Sequence, residues 1–294
     1  MQVEEQQLSA VKAAENAAPR RLKIIRPVSY SPGIVFRGIA ELFAYRDLLY
    51  TLTLHRVNIR YKQSALGLTW AVIQPLALML VYTIVFSLFT KVPTQGSHYP
   101  VFVLAGILPW NFFQTAISTS ATGFVSHTNI ITKLYFPREI LPFSYVLAGV
   151  VDLMIAGVIL AIVMMWYHIH VTLLALYVIP ILVIEMCLVT GFSLALSALQ
   201  VRFRDVGLAL PLVFQLWTFA SPVVYSLSAV PQRFRGWYIW NPMAGVVENF
   251  RRVLVQGTMP DRDSLLISTI FAALLLPLGY LYFKYREATM ADII

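Results

Sequence analysis

Six stretches of this chain each run about 20 residues with almost no charge, the length a helix needs to cross a bilayer core about 30 Å thick. They are Leu68 to Phe89, Val101 to Val125, Phe143 to Tyr167, Leu173 to Leu199, Gly207 to Tyr225 and Leu265 to Phe283. In hydrocarbon every backbone polar group must be satisfied within the protein, so runs of this length fold as helices. Composition agrees, since 59% of the 294 residues are apolar and 12% charged, too few charges to cover a soluble domain of this size. The fold expected is an all-α polytopic membrane protein with six transmembrane helices. A cytosolic enzyme, a disordered chain and a disulfide-rich secreted domain are argued against on the same ground. The lone cysteine, Cys187, gives neither a disulfide framework nor a Cys-based metal site.

The net charge of +8 reads more simply as the cytoplasmic bias of a membrane protein than as a nucleic-acid footprint. With the N-terminus inside, sixteen Lys and Arg fall on cytoplasmic segments and six outside, and an even number of spans places both termini in the cytoplasm. Residues 1–36 form a polar, Ala-rich tail without the apolar core of a signal peptide. Residues 37–65 form an interfacial region: Arg37 to Lys62 is helix-compatible, but Glu41, Arg46, Asp47, Arg56, Arg60 and Lys62 recur too often for it to span. It is expected to lie at the cytoplasmic membrane surface, or else to pack as a soluble helix on a partner. Residues 66–294 make up the six-helix domain.

The segment Ser226 to Ser264 breaks the charge rule with five basic residues, and it holds a well-punctuated helix. Asn241 suits the N-cap, Pro242 the first helical position and Gly257 the left-handed stop. Met243, Val246, Val247, Phe250, Val253 and Leu254 share helical spacing, with Glu248, Asn249, Arg251, Arg252 and Gln256 facing elsewhere. Trp237, Tyr238 and Trp240 precede it with interfacial chemistry. Short re-entrant periplasmic helices between spans five and six are expected, and Pro231, Trp237, Tyr238 and Trp240 are assigned to a periplasmic gate.

Catalytic signatures are missing from the sequence: no Gly-Lys dipeptide for a phosphate loop, no HExxH, no GxSxG. His168 and His170 stand two apart, on different helix faces, and read as an interfacial pair. Asp152 and Glu185 lie within spans and serve either interhelix hydrogen bonding or coupling. In the first span Tyr82, Phe86 and Phe89 follow helical spacing with Trp70 near the cytoplasmic end; in the fifth, Phe214, Trp217 and Tyr225 lie close to one face. These seven rings either meet lipid and pack the bundle or form a stacking surface for sugar rings. Periodicity does not separate the two.

Six motifs in order carry a resemblance: RYKQSALGLTWAVIQPL (Arg60 to Leu76), TKLYFPREILP (Thr132 to Pro142), VRFRDVG (Val201 to Gly207), SPVVYSLSAVP (Ser221 to Pro231), NPMAGVVENFR (Asn241 to Arg251) and YFKYREATMADII (Tyr282 to Ile294). Together they resemble the transmembrane subunits of ABC-type polysaccharide and polyol-phosphate exporters, of the O-antigen or teichoic acid kind. Met290 stands where such permeases more often carry phenylalanine. The resemblance implies a homodimer in the bacterial inner membrane, joined by two copies of a separate nucleotide-binding subunit. ATP and magnesium belong on that partner, no cofactor is bound by this chain, and lipid-linked glycan moves from the cytoplasmic to the periplasmic side. It also implies that Asn129 to Glu139, with Lys133, Tyr135, Phe136 and Arg138, docks on the ATPase, and that Glu41 to Lys62 lies beside the lateral access route. Arg56, Arg60 and Lys62 are then either the lipid-headgroup contacts or membrane anchors. Rival functions are an ABC exporter of a drug or other lipid, a membrane-embedded glycosyl- or acyltransferase, and a proton-coupled carrier.

Overall fold

The computed structural model describes residues 34–62, 67, 69–89, 96–126 and 136–293, and the expected N-terminal tail lies outside them. Every regular element among the described residues is helical. The chain begins with α1 (Ile34–Ala44) and α2 (Arg46–Lys62). α2 carries Asp47 in its first turn and Arg60 and Lys62 in its last, each charge matching the partial charge of that helix end. The first span is α3 (Thr69–Thr83), with Pro75 buried inside it, continuing as a π-helical stretch Ile84–Phe89.

The second span, α4 (Tyr99–Ser126), is the centre of the molecule: 78% of its most apolar window is buried, against 6% for the first span. Its hydroxyl residues conceal their polarity. Thr119 and Thr122 donate back to the carbonyls of Thr115 and Ser118, as serine and threonine do inside helices. Ser120 reaches across to Ser197 at 3.1 Å. The third span, α5 (Ile140–Trp166), ends at Tyr167; His168 takes a positive φ, and the His98 ring lies tilted against Tyr167 at 4.8 Å. Among the described residues no cluster of metal-capable side chains forms.

α6 (Val178–Arg202) follows a 3-10 turn over Leu173–Tyr177, and it packs against the last helix, α10 (Arg262–Ile293). Backbone meets backbone there: a Cβ added at Gly279 would run into the Gly191 carbonyl. Only glycine permits so close a crossing. Between them α7 (Asp205–Ala220) departs from expectation. It has 16 residues, about 24 Å at 1.5 Å per residue, and stops five residues before the predicted end of the fifth span. Among the described residues five helical stretches are long and apolar enough to cross a bilayer, and α7 is not one of them.

After α7 the backbone is irregular over 221–225, followed by α8 (Gln232–Ile239) and α9 (Pro242–Arg251). α9 starts and stops as its punctuation demands. Asn241 Oδ1 accepts from the Met243 amide at 3.1 Å, Pro242 opens the helix, and Gly257 takes φ 61° after a π-helical extension Arg252–Gln256. The expected polar outer face is corrected: all ten residues of α9 are buried, including Glu248, Asn249 and Arg251. The fully enclosed Arg251 guanidinium donates to the carbonyls of Phe102 (3.1 Å), Pro222 (3.2 Å) and Val223 (2.8 Å), and pairs with Glu248 at 3.3 Å. Non-helical backbone in such a setting must find donors inside the protein, and Arg251 supplies them.

Candidate substrate groove

The first helices do not merely rest on a surface. Arg56 on α2 is buried, donates from Nε to Ser144 Oγ at 2.7 Å and lies 3.3 Å over the Tyr145 ring. One turn on, Arg60 pairs with Asp152, and the Tyr61 hydroxyl donates to the same carboxylate at 2.5 Å. Contacts advance together along both helices, so the last turns of α2 climb beside α5 in the same direction. Burial pulls the Arg56 guanidinium below its ordinary value. Arg56 therefore ties α2 to α5 within the protein, while Lys62 remains exposed.

Above this junction a groove of about 780 Å³ opens between α3, α4, α5 and α7. Its polar wall comes from four amides, Gln74, Asn111, Gln114 and Gln215, with Thr115, Thr119 and Thr218 beside them. Amides are costly in a membrane-spanning segment unless they face a partner or a cavity. Each of the three helices α3, α4 and α7 contributes some of them, so no periodicity within one helix could have revealed the set. The signal was an uncharged amide inside an apolar run, repeated in three spans.

Of the predicted path residues, Trp70 and Tyr82 line this groove. Phe86 packs on Tyr82 at 6.1 Å, and the Phe89 side chain lies outside those described. Phe214 is 2% exposed, edge-on to Phe113 and parallel to Trp217 in a cluster with Phe192, so it packs within the core of its own chain. Trp217 is half-buried and donates to Asn241 Oδ1 at 3.2 Å, tying α7 to the cap of α9. Tyr225 shares a 2.7 Å hydroxyl contact with Tyr238. Trp237 and Trp240 are exposed, as is Pro231.

The sequence profile of the ABC-2 type transporter membrane domain matches residues 48–255, which covers every wall of the groove. The chain belongs to the ABC-2 type transporter family. It is similar to the O-antigen export system permease protein RfbA of Myxococcus xanthus, 28% identical over 88% of this chain and 100% of that protein. A permease of the same name from Klebsiella pneumoniae is 29% identical over 84% of this chain and 95% of its own length. The polysialic acid transport protein KpsM of Escherichia coli is 24% identical over 81% and 93%. An ABC-2 membrane domain is the permease part of a transporter and is not itself catalytic.

In an ABC-2 permease the segment leading into the third span acquires particular interest. Asn129, Lys133 and Tyr135 lie outside the described residues. Phe136 is buried in a second core with Phe124 and Phe283. Glu139 is wholly buried, where Lys284 meets it at 2.8 Å and Tyr280 donates to it at 3.3 Å. Burial pushes the Glu139 carboxyl up, and Lys284 partly opposes the shift. Lys284 also holds Glu287 at 2.9 Å, and Arg138 donates to the Glu287 carbonyl at 2.5 Å. The start of α5 and the end of α10 are thus joined by charge. Glu185, fully buried in α6, has no hydrogen-bond partner among the described residues.

Proposed function

We propose that this chain is the permease of an ATP-driven exporter that moves lipid-linked polysaccharide from the cytoplasmic to the periplasmic side of the bacterial inner membrane. It works as a homodimer, with ATP hydrolysed by two copies of a separate subunit. The groove carries this reading: amides and hydroxyls offer both donors and acceptors to sugar hydroxyls, and Trp70 and Tyr82 offer flat faces to their C–H sides. An apolar drug would find no use for that amide wall. The names of the relatives, O-antigen export and polysialic acid transport, point to the same substrate class. The decisive experiment is deletion and complementation. Loss of surface glycan with accumulation of lipid-linked polymer inside, reversed by the intact gene and not by a Gln74→Leu, Gln114→Leu variant that still reaches the membrane, is the expected result. Surface glycan at normal levels in the deletion overturns the reading.

Six crossings with both termini cytoplasmic remain the proposed topology, α7 and the irregular stretch after it together forming the fifth. The sixteen-to-six division of basic residues supports it. In a Cys187→Ser background, a cysteine at Ser228 should react with impermeant maleimide from outside intact cells; labelling only after lysis would reverse the assignment.

A further inference from the structure

Among the described residues lining the groove, Arg60 and Asp152 are the charged ones, and they pair with each other. The rest of the wall is amide, hydroxyl, aromatic and aliphatic. Both side chains are partly exposed, 34% and 25%, so the pair is reachable. Tyr61 donates to the second carboxylate oxygen of Asp152, independently of Arg60. The first span beside the groove shows Val72, Ile73 and Leu80 on its exterior, a surface suited to the apolar part of an amphiphilic ligand. A guanidinium grips carboxylate and phosphoryl oxygens with the same two-pronged geometry.

We infer that Arg60 is an anion-exchange site, held by Asp152 when the groove is empty and taken over by the phosphoryl group of an amphiphilic ligand when it is filled. The exchange leaves Asp152 without its cation, and its partial exposure and the Tyr61 hydroxyl soften that loss. Arg60 is paired before and after, and Asp152 keeps the Tyr61 hydroxyl when its cation is taken. A diphosphate, carrying more charge than one carboxylate, wins the contest on arrival; the returning Asp152 assists its departure. The inference rests on the export reading for the ligand's class, but the binding it describes is measurable without transport.

The test uses the full chain in nanodiscs, with radiolabelled geranylgeranyl diphosphate as probe and geranylgeraniol and inorganic pyrophosphate as competitors. Asp152→Asn, which is isosteric and still accepts from Tyr61, should bind the probe about tenfold more tightly, and Arg60→Gln about tenfold more weakly. The double variant should match Arg60→Gln, and Arg60→Lys should recover part of the loss. If inorganic pyrophosphate competes as well as the lipid, exchange stands and free phosphate is its source. Weakening by Asp152→Asn to the level of Arg60→Gln, with thermal unfolding unchanged, overturns the exchange and leaves the pair a tether. Normal surface glycan in the deletion strain would sink the export reading instead, whatever the binding result.

Discussion

A single guanidinium decides the geometry of one end of this protein. Arg251 serves three carbonyls from two separate parts of the chain, lies 3.7 Å over the Phe102 ring and neutralises Glu248. Lysine keeps the charge but lacks the planar fork that reaches them together. Arg251→Ala should destabilise the protein by about 3–5 kcal/mol, the range for orphaning a buried pair, and Arg251→Lys should recover less than half; thermal unfolding in detergent reads both. None of this was legible in the sequence, because Phe102 and Pro222 are 149 and 29 residues away. The cap and stop around the same helix were legible, since Asn241, Pro242 and Gly257 act on neighbours within a turn. The same contrast holds for Arg56 and Phe214: their types and spacing were visible, while what each faces depended on a second helix.

At the level of elements, apolar length identified five spans well and overran on the fifth, where Ser221 to Tyr225 is as apolar as a helix but is held open by side-chain donors. Hydropathy measures what a segment tolerates around it and is blind to whether its backbone closes its own hydrogen bonds. The groove's amides escaped for a related reason, being isolated within each span and gathered by packing. Helix α6 and helix α10 offer a sharp test of that packing. Gly279→Leu must force apart a backbone-to-backbone crossing, and overpacking of this kind costs about 1–3 kcal/mol or more. Gly157→Ala, where a Cβ meets nothing within 4 Å, should be neutral. Folded yield by fluorescence-detected size exclusion should fall for the first and hold for the second.

Across the whole molecule, the charge junction of Glu139, Lys284, Glu287 and Arg138 binds the segment before the third span to the last helix. We propose that the ATPase docks on that segment, as the resemblance implies; a push there would reach α10 directly. Glu139→Lys should destabilise the protein by about 3 kcal/mol and uncouple export from ATP hydrolysis in the assembled transporter. The exchange Glu139→Lys with Lys284→Glu should restore much of both, by thermal unfolding and by surface glycan. Recovery of neither would mean that the junction depends on more than its charges.

The buried helix α9 also has a history within each newly made molecule. Ser268 donates to the Pro242 carbonyl at 2.8 Å, Asn249 reaches Ser264 at 3.0 Å, and the Asp261 amide reaches Asn249 at 2.6 Å. All three partners lie later in the chain than the helix they hold. While the ribosome is still making α10, the Asn249 amide and the Pro242 carbonyl have no such partners, and α9 lacks the neighbour that completes its burial. Helix α9 can therefore settle fully only after residues 261–268 have been made, so a nascent chain stays unfinished at that helix until synthesis has entered the last span.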